Sequence, residues 1–292
     1  MTSIVIPAHN EGRVIGRLLD ALLADTPVSG PDIVVVCNGC TDDTAAVAGA
    51  RGPRVRVVEI PTPSKHKALR AGDEHALGFP RLYVDADVVI GAADARALAD
   101  ALAASPELLA AAPGRDIPLA GCAWPVRAYY QVWQRLPAVR EGLFGRGVIA
   151  VTEPGHARIA ALPPLMADDL AASLAFAPQE RRVVEAARVV VRPPRTWADL
   201  IRRRVRAATS SAELERFQAS GGPGAAQEPS GRTPSARTGT GDLRALLRDR
   251  PSLLPGVVVF VVAALAARRG ARKAIRTGDF STWLRDESSR QG

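Results

Sequence analysis

Along the first part of the chain, short aliphatic runs alternate with stretches whose apolar residues recur every three or four positions. Ser3-Ile4-Val5-Ile6-Pro7 is continuously apolar, as in a strand covered on both faces. Beyond the polar stretch Ala8-His9-Asn10-Glu11-Gly12, residues Val14, Ile15, Leu18, Leu19, Leu22 and Leu23 share one helical face. Pro27 and Pro31 break that helix. Ile33-Val34-Val35-Val36-Cys37 predicts a second strand, and Asn38-Gly39-Cys40-Thr41-Asp42-Asp43-Thr44 a turn opening a helix over 45–50. A third strand over 55–60, a helix around 67–77 and a fourth strand over 81–84 follow. Such alternation over short connections predicts an α/β fold: a doubly wound, mostly parallel sheet flanked by helices.

Further on, the pattern predicts an Ala-rich helix over 92–104 and strands over 108–112 and 183–191. Helices are expected from 156, from Asp168 and over 200–206, and 123–136 holds an aromatic cluster. Residues 220–241 are rich in Gly, Ser, Pro and Thr and read as a flexible linker. A short basic helix over 243–250 precedes the uncharged 253–267, which Arg268, Arg269, Arg272, Lys273 and Arg276 follow. The expected organisation is a domain over 1–218 (halves 1–90 and 91–218), a linker over 219–242 and a helical tail over 243–292. A bilayer span needs about 20 apolar residues. The run 253–267 is shorter and contains Pro255, so a marginal span, an interfacial helix and a helix docked on protein all stay open. The basic run after it favours an anionic membrane surface on the cytoplasmic side.

Net charge is +8 over 292 residues, which favours anionic partners without choosing among them. Cys37, Cys40 and Cys122 cannot all pair with one another, and the N-terminus lacks a basic leader. A reducing, cytoplasmic setting is expected. Cys37 and Cys40 have the spacing of a redox pair or a zinc half-site, but no second pair accompanies them.

The candidate chemistry gathers where predicted strands end. Ligands of doubly wound sheets bind outside the carboxyl ends of the strands. The polar stretches 8–12, 38–44 and 85–87 each follow a strand, so they should line one edge. No dinucleotide fingerprint or Walker-type phosphate loop is present. In Tyr83-Val84-Asp85-Ala86-Asp87-Val88-Val89-Ile90, an extended backbone would turn Asp85 and Asp87 to one side. Paired carboxylates without nearby His or Cys suit Mg²⁺ or Mn²⁺, and a strand end with a solvated turn is the plainer alternative. Lys65, Lys67 and Arg70 read either as a phosphate-reaching segment or as a solvated helix face. The aromatic residues Trp124, Tyr129, Tyr130 and Trp133 suit core packing or stacking on an acceptor. Asp168-Asp169 reads as an acidic helix start.

Four blocks, in order and at fitting spacing, carry a resemblance: Ile4-Val5-Ile6-Pro7-Ala8-His9-Asn10-Glu11, then 38–44, then Lys67-Ala68-Leu69-Arg70-Ala71-Gly72, then Val84-Asp85-Ala86-Asp87. Over about residues 3–215 the chain resembles the family 2 glycosyltransferases, and residues 143–151 resemble the strand that floors that family's acceptor site. The resemblance implies the GT-A fold and a nucleotide-diphosphate sugar donor. It implies that Pro7, His9, Asn10, Glu11, Asn38 and Asp42 contact the nucleotide, with Lys67 and Arg70 near the diphosphate. Asp85 and Ala86 would contact the nucleotide, and Asp87, with Asp85, the metal. Asn38 stands where the family often has Asp, leaving uracil and guanine both open, and Cys40 stands for Ser. The family carries an acidic pair where this chain has Asp168-Asp169, which makes Asp169 the expected base of an inverting transfer. Arg203 and Arg206 share a helix face that would close over the diphosphate. The Gln-x-x-Arg-Trp block of processive synthases is absent, which implies single addition.

The expected function is a metal-dependent, inverting transfer of one sugar to a hydroxyl of a glycan or lipid-linked acceptor of the cell envelope. The expected location is the inner face of the cell membrane, reached through the tail. The competing readings are a non-catalytic nucleotide-sugar-binding protein at the membrane and a nucleotidyltransferase on a related sheet. Nucleic-acid binding would explain the charge but not the carboxylates.

Overall fold

The computed structural model describes residues 1–24, 30–163, 168–219 and 238–277, without the side chains of Asp168, 217–219 and 273–277. The break expected around Pro27, most of the linker and the last stretch of the tail lie outside the described residues.

The chain runs β1 (Ser3–Ala8), α1 (Gly12–Leu23), β2 (Asp32–Asn38), α2 (Thr44–Gly49), β3 (Val55–Ile60), α3 (Lys65–His75), β4 (Arg81–Val84) and β5 (Val89–Ile90). It continues with α4 (Ala92–Ala104), β6 (Ala110–Asp116), α5 (Trp124–Trp133), α6 (Pro137–Glu141), β7 (Val148–Val151), α7 (Glu153–Ala160), α8 (Asp168–Leu174) and β8 (Arg181–Val190). Three long segments complete it: α9 (Trp197–Ala219), α10 (Thr240–Asp249) and α11 (Leu254–Thr277). Two compact units result. One comprises Met1–Ile117, Gly145–Ala160 and Phe176–Arg192; the other comprises Pro118–Phe144, Ala161–Ala175 and Pro193–Gly292.

The first unit holds the whole sheet, in the order β3-β2-β1-β4-β7-β6-β8-β5. Strands β3, β2, β1 and β4 are parallel neighbours. Strand β7 then runs antiparallel to both β4 and β6. Alternation within the strands divides the core between two faces. Ile4, Ile6, Ile33 and Val35 meet Ile15, Leu18 and Leu19 of α1 and Leu98 and Leu102 of α4. Val34 and Val36 meet Ala68 of α3 on the other face. Full burial of each such aliphatic side chain contributes about 2 kcal/mol. Helix α3 lies so close that a Cβ on Gly72 would sit 2.3 Å from Val5 Cγ1.

The second unit is helical among its described residues. The expected aromatic cluster is its core: Tyr129 meets Tyr130 edge-on and stacks on Phe260 of α11, while Trp133 meets Tyr130 edge-on. Trp124 stands apart, 54% exposed. Of the two roles open to these rings, packing holds for the tyrosines and Trp133.

The expected strand over 143–151 is confined to Val148–Val151. Gly145 and Gly147 both adopt positive φ, which ends regular extension before β7 begins. The helix expected over 200–206 extends from Trp197 to Ala219. Thr209, Ser210 and Ser211 take part in it by bonding their hydroxyls to carbonyls four residues back.

Candidate active site

The polar loops after β1 and β2 are locked together. His9 donates from Nδ1 to the Asn38 carbonyl at 2.6 Å. Asn38 is buried and uses both ends of its amide: Nδ2 donates to the Ala8 carbonyl at 2.8 Å, and Oδ1 accepts from the Ser64 N–H at 3.0 Å. Asn10 has φ +52°, a conformation Asn tolerates better than most residues, and its Oδ1 accepts from the Thr41 N–H. Cys40 Sγ receives the Asn10 N–H and faces the Ala8 carbonyl, the place a serine hydroxyl would fill. Cys37 is buried, and this burial, with Cys40 beside it, pushes its thiol up to about 12. Both thiols are free.

Asp42 accepts from the Gly12 N–H and from the Thr44 N–H and hydroxyl. Partial burial raises its pKa, but these bonds outweigh that and hold the carboxyl below its ordinary value. Asn38 and Asp42, expected to touch nucleotide, therefore tie the loops together. Pro7 is buried in β1, while His9 and Glu11 are half-buried. Gly39, at φ +57°, lets this loop pass against Pro63, whose N lies 2.8 Å from the Cβ a substitution would add.

The amide of Asn38 accounts for its difference from the family's Asp. A carboxylate could not donate to the Ala8 carbonyl and would bring a charge into a buried position. Asn38→Asp is expected to destabilise the protein by about 3 kcal/mol. Urea denaturation measures this, and a loss within about 0.5 kcal/mol, the range of ordinary surface substitutions, would refute it.

The acidic pair departs from the strand geometry expected of it. Strand β4 ends at Val84, and the Val88 N–H returns to the Asp85 carbonyl at 3.4 Å, so residues 85–87 form a turn. The period-two argument for convergence does not apply there. The turn is held by the Asp85 N–H, which donates to the Gly147 carbonyl at 2.7 Å. Gly147 has φ +67°, and a Cβ there would lie 2.5 Å from Val88 Cγ1. Ala86 is buried, Asp85 half-buried and Asp87 exposed. Behind Gly147, buried Arg146 donates to the Pro113 carbonyl at 2.9 Å, and burial lowers its pKa to about 10.

Lys65, one of the basic residues noted in the sequence, reaches this turn, and Arg17, which the sequence did not single out, feels its charge. Lys65 Nζ lies 2.8 Å from Asp85 Oδ1. Burial and then the Arg192 guanidinium lower the pKa of Arg17, while the charge of Asp87 opposes the shift. Lys67 and Arg70 are exposed on α3. Lys65 sits in the first turn of that helix, on the end nearest the strand edges, and this position was the available signal. Arg17 joins through tertiary packing alone.

Asp168 and Asp169 begin α8 in the second unit. Asp169 is exposed, and its Oδ1 accepts from the Leu170 N–H at 2.7 Å. Leu170 and Ala171 anchor the helix against Leu214 of α9. Arg203 and Arg206 are half-buried on α9. Burial pushes the Tyr129 hydroxyl up to about 12, and Arg204 and Arg203 offset part of that shift from α9. Among the described residues no three His, Cys, Asp or Glu side chains form a metal-binding group.

A parallel sheet continued by antiparallel strands, with polar loops gathered at one edge, is the architecture of the GT-A glycosyltransferases. The chain belongs to glycosyl transferase family 2, whose family model matches residues 3–150. A 4,4'-diaponeurosporenoate glycosyltransferase of Staphylococcus aureus is 38% identical over 98 residues, 32% of this chain and 25% of that protein. An uncharacterised glycosyltransferase of Mycobacterium bovis is 37% identical over 123 residues, 42% of this chain and 52% of that protein. The chain thus spans about a quarter and about half of these curated relatives. Among solved structures, a Pyrobaculum calidifontis mannosyltransferase in complex with GDP-Man and Mn²⁺ superposes with TM-score 0.57 at 21% identity, covering 99% of this chain and 84% of that one. Glucosyl-3-phosphoglycerate synthase of Mycobacterium tuberculosis, in complex with Mn²⁺, UDP and glucosyl-3-phosphoglycerate, superposes with TM-score 0.53 at 19% identity, covering 76% and 81%.

Proposed function

We propose that this glycosyltransferase moves a single sugar from a nucleotide-diphosphate donor to an acceptor hydroxyl, with inversion and with Asp169 as the base. The observation that carries the donor half is the acidic turn at the C-terminal end of a parallel strand, where Lys65 pairs with Asp85 and exposed Asp87 acts on Arg17. An anion with a divalent cation suits that mixture of charges. Asp85 and Asp87 would supply hard oxygen ligands but are too few to enclose a metal, so donor phosphates would have to supply the rest. Bound Mg²⁺ or Mn²⁺ would neutralise charge on the diphosphate.

The protein's own groups do the rest. His9, Asn10 and Glu11 line the nucleotide side, and Lys65 offsets charge on the diphosphate. Lys67, Arg70, Arg203 and Arg206 supply further positive charge. Asp169 takes the proton of the acceptor hydroxyl as that oxygen bonds to the anomeric carbon. The anomeric carbon–oxygen bond breaks, its electron pair stays with the nucleoside diphosphate, and configuration inverts. Residues 1–90 form the donor half and 91–218 the acceptor half. The helical tail brings the enzyme to the cytoplasmic face of a membrane, where a lipid-linked acceptor would be met.

Binding of a panel of UDP- and GDP-sugars, with and without Mn²⁺, tests the donor reading. One donor should bind with Mn²⁺ at least tenfold more tightly than without it. If folded protein binds no nucleotide sugar under either condition, the transferase mechanism proposed here is wrong.

A further inference from the structure

Helix α11 is apolar on two opposite faces, and only one of them is covered. Val257, Phe260, Ala263, Ala267 and Ala271 form the buried stripe. It lies on α5 and α9: Phe260 stacks on Tyr129 at 5.2 Å, Gly256 faces the Ala128 carbonyl and Val132, and Gly270 closes against Val205. Leu254, Val258, Val261, Val262 and Leu265 form the other stripe and are 55%, 55%, 39%, 49% and 49% exposed. The same face continues, at steps of three and four residues, into exposed Arg268, Arg269 and Arg272. Exposed Arg244 and Arg248 on the preceding α10 add to the positive charge.

By length and composition Pro251–Arg272 is sufficient to cross a bilayer. Its packing argues against a crossing. The buried stripe is held by α9, which carries Arg202, Arg203, Arg204 and Arg206 alongside, with Arg204 over the Tyr129 ring at 5.9 Å. Lipid around α11 would draw those charges towards hydrocarbon, where they are strongly disfavoured. An interfacial helix needs one apolar face and one polar boundary, and here the protein itself supplies that boundary. The exposed stripe offers roughly 400 Å², about half of what each partner of a stable protein interface buries. A second copy of the chain is therefore a poorer occupant than lipid, and the arginines that extend the stripe match anionic headgroups.

We infer that α11 lies in the plane of an anionic phospholipid surface, with residues 254–265 in the acyl boundary and Arg268, Arg269 and Arg272 among the headgroups. This rests on, and sharpens, the membrane association proposed above.

The test is co-sedimentation of the full chain with vesicles of phosphatidylcholine alone or with equimolar phosphatidylglycerol, followed by an alkaline carbonate wash. Wild type should bind anionic vesicles at least tenfold more tightly than neutral ones and be released by carbonate. The double variant Val258→Asp, Val261→Asp should lose binding, and glutamine at all three arginines should weaken it on the order of 100-fold. Both variants should bind donor nucleotide as wild type does, since neither changes a residue of the proposed donor site. Retention after the carbonate wash would overturn the in-plane placement in favour of a span. Absence of binding to either vesicle would overturn the membrane association itself. Equal vesicle binding by the double variant, or its loss of a concentration-dependent dimer, would show that the stripe serves another purpose. Vesicle binding without any donor binding would instead count against the transferase reading.

Discussion

Replacing Asp87 with alanine is expected to lower sugar transfer by about 10³-fold or more and to remove the Mn²⁺-dependent part of donor affinity. The side chain is exposed at the tip of a turn, so its loss opens no cavity in the core. The turn is held from elsewhere, by the Asp85 N–H on the Gly147 carbonyl. The fold should survive, and the effect should read out chemistry. Removing Asp87 also takes from Arg17 the carboxylate charge that opposes the effect of Arg192 on it. Residual donor binding should therefore become more sensitive to phosphate charge and to salt. Calorimetric titration of the donor with and without Mn²⁺, beside steady-state transfer, separates the two effects. Transfer within tenfold of wild type would remove Asp87 from the mechanism.

Asp169→Asn is expected to reduce kcat by 10²- to 10⁴-fold, in the range of a lost general base, with donor affinity changed by less than about twofold. Asparagine keeps the oxygen that accepts the Leu170 N–H, and Leu170 and Ala171 still anchor α8 on Leu214. The helix start should remain, and only proton acceptance is removed. The acidic limb of the pH–rate profile should vanish with it. A helix-capping role alone would leave kcat nearly intact and lower thermal stability instead, and that outcome would reassign the residue.

The backbone of the donor half was legible because its signals are local. The aliphatic runs at 4–6 and 33–36 are strands covered on both faces, the partly apolar 55–60 is a half-covered strand, and the helical recurrence of Val14, Ile15, Leu18, Leu19 and Leu22 places α1 on one face of the sheet. The end of β7 was legible, but its beginning was not. Positive φ at Gly145 and Gly147 is a backbone choice that apolar periodicity does not report. Helix α9 was underestimated because Thr209, Ser210 and Ser211 weaken a helical pattern in sequence, yet their hydroxyls bond back to its carbonyls.

The sequence by itself determined the α/β alternation, the order of the polar loops and the residue types of the acidic turn, because each follows from chemistry within a few neighbours. Only the tertiary structure decided which side chains those loops leave for a ligand. Asn38 and Asp42 also join the loops, since their partners at Ala8, Ser64 and Gly12 come from distant positions in the chain. Lys65 and Arg17 come to act with the acidic turn for the same reason: charge acts through space, and two separate segments bring these cations to it. Helix α11 likewise has two apolar faces in sequence. Packing on α5 and α9 covers one of them, and exposure of the other is a property of the folded unit.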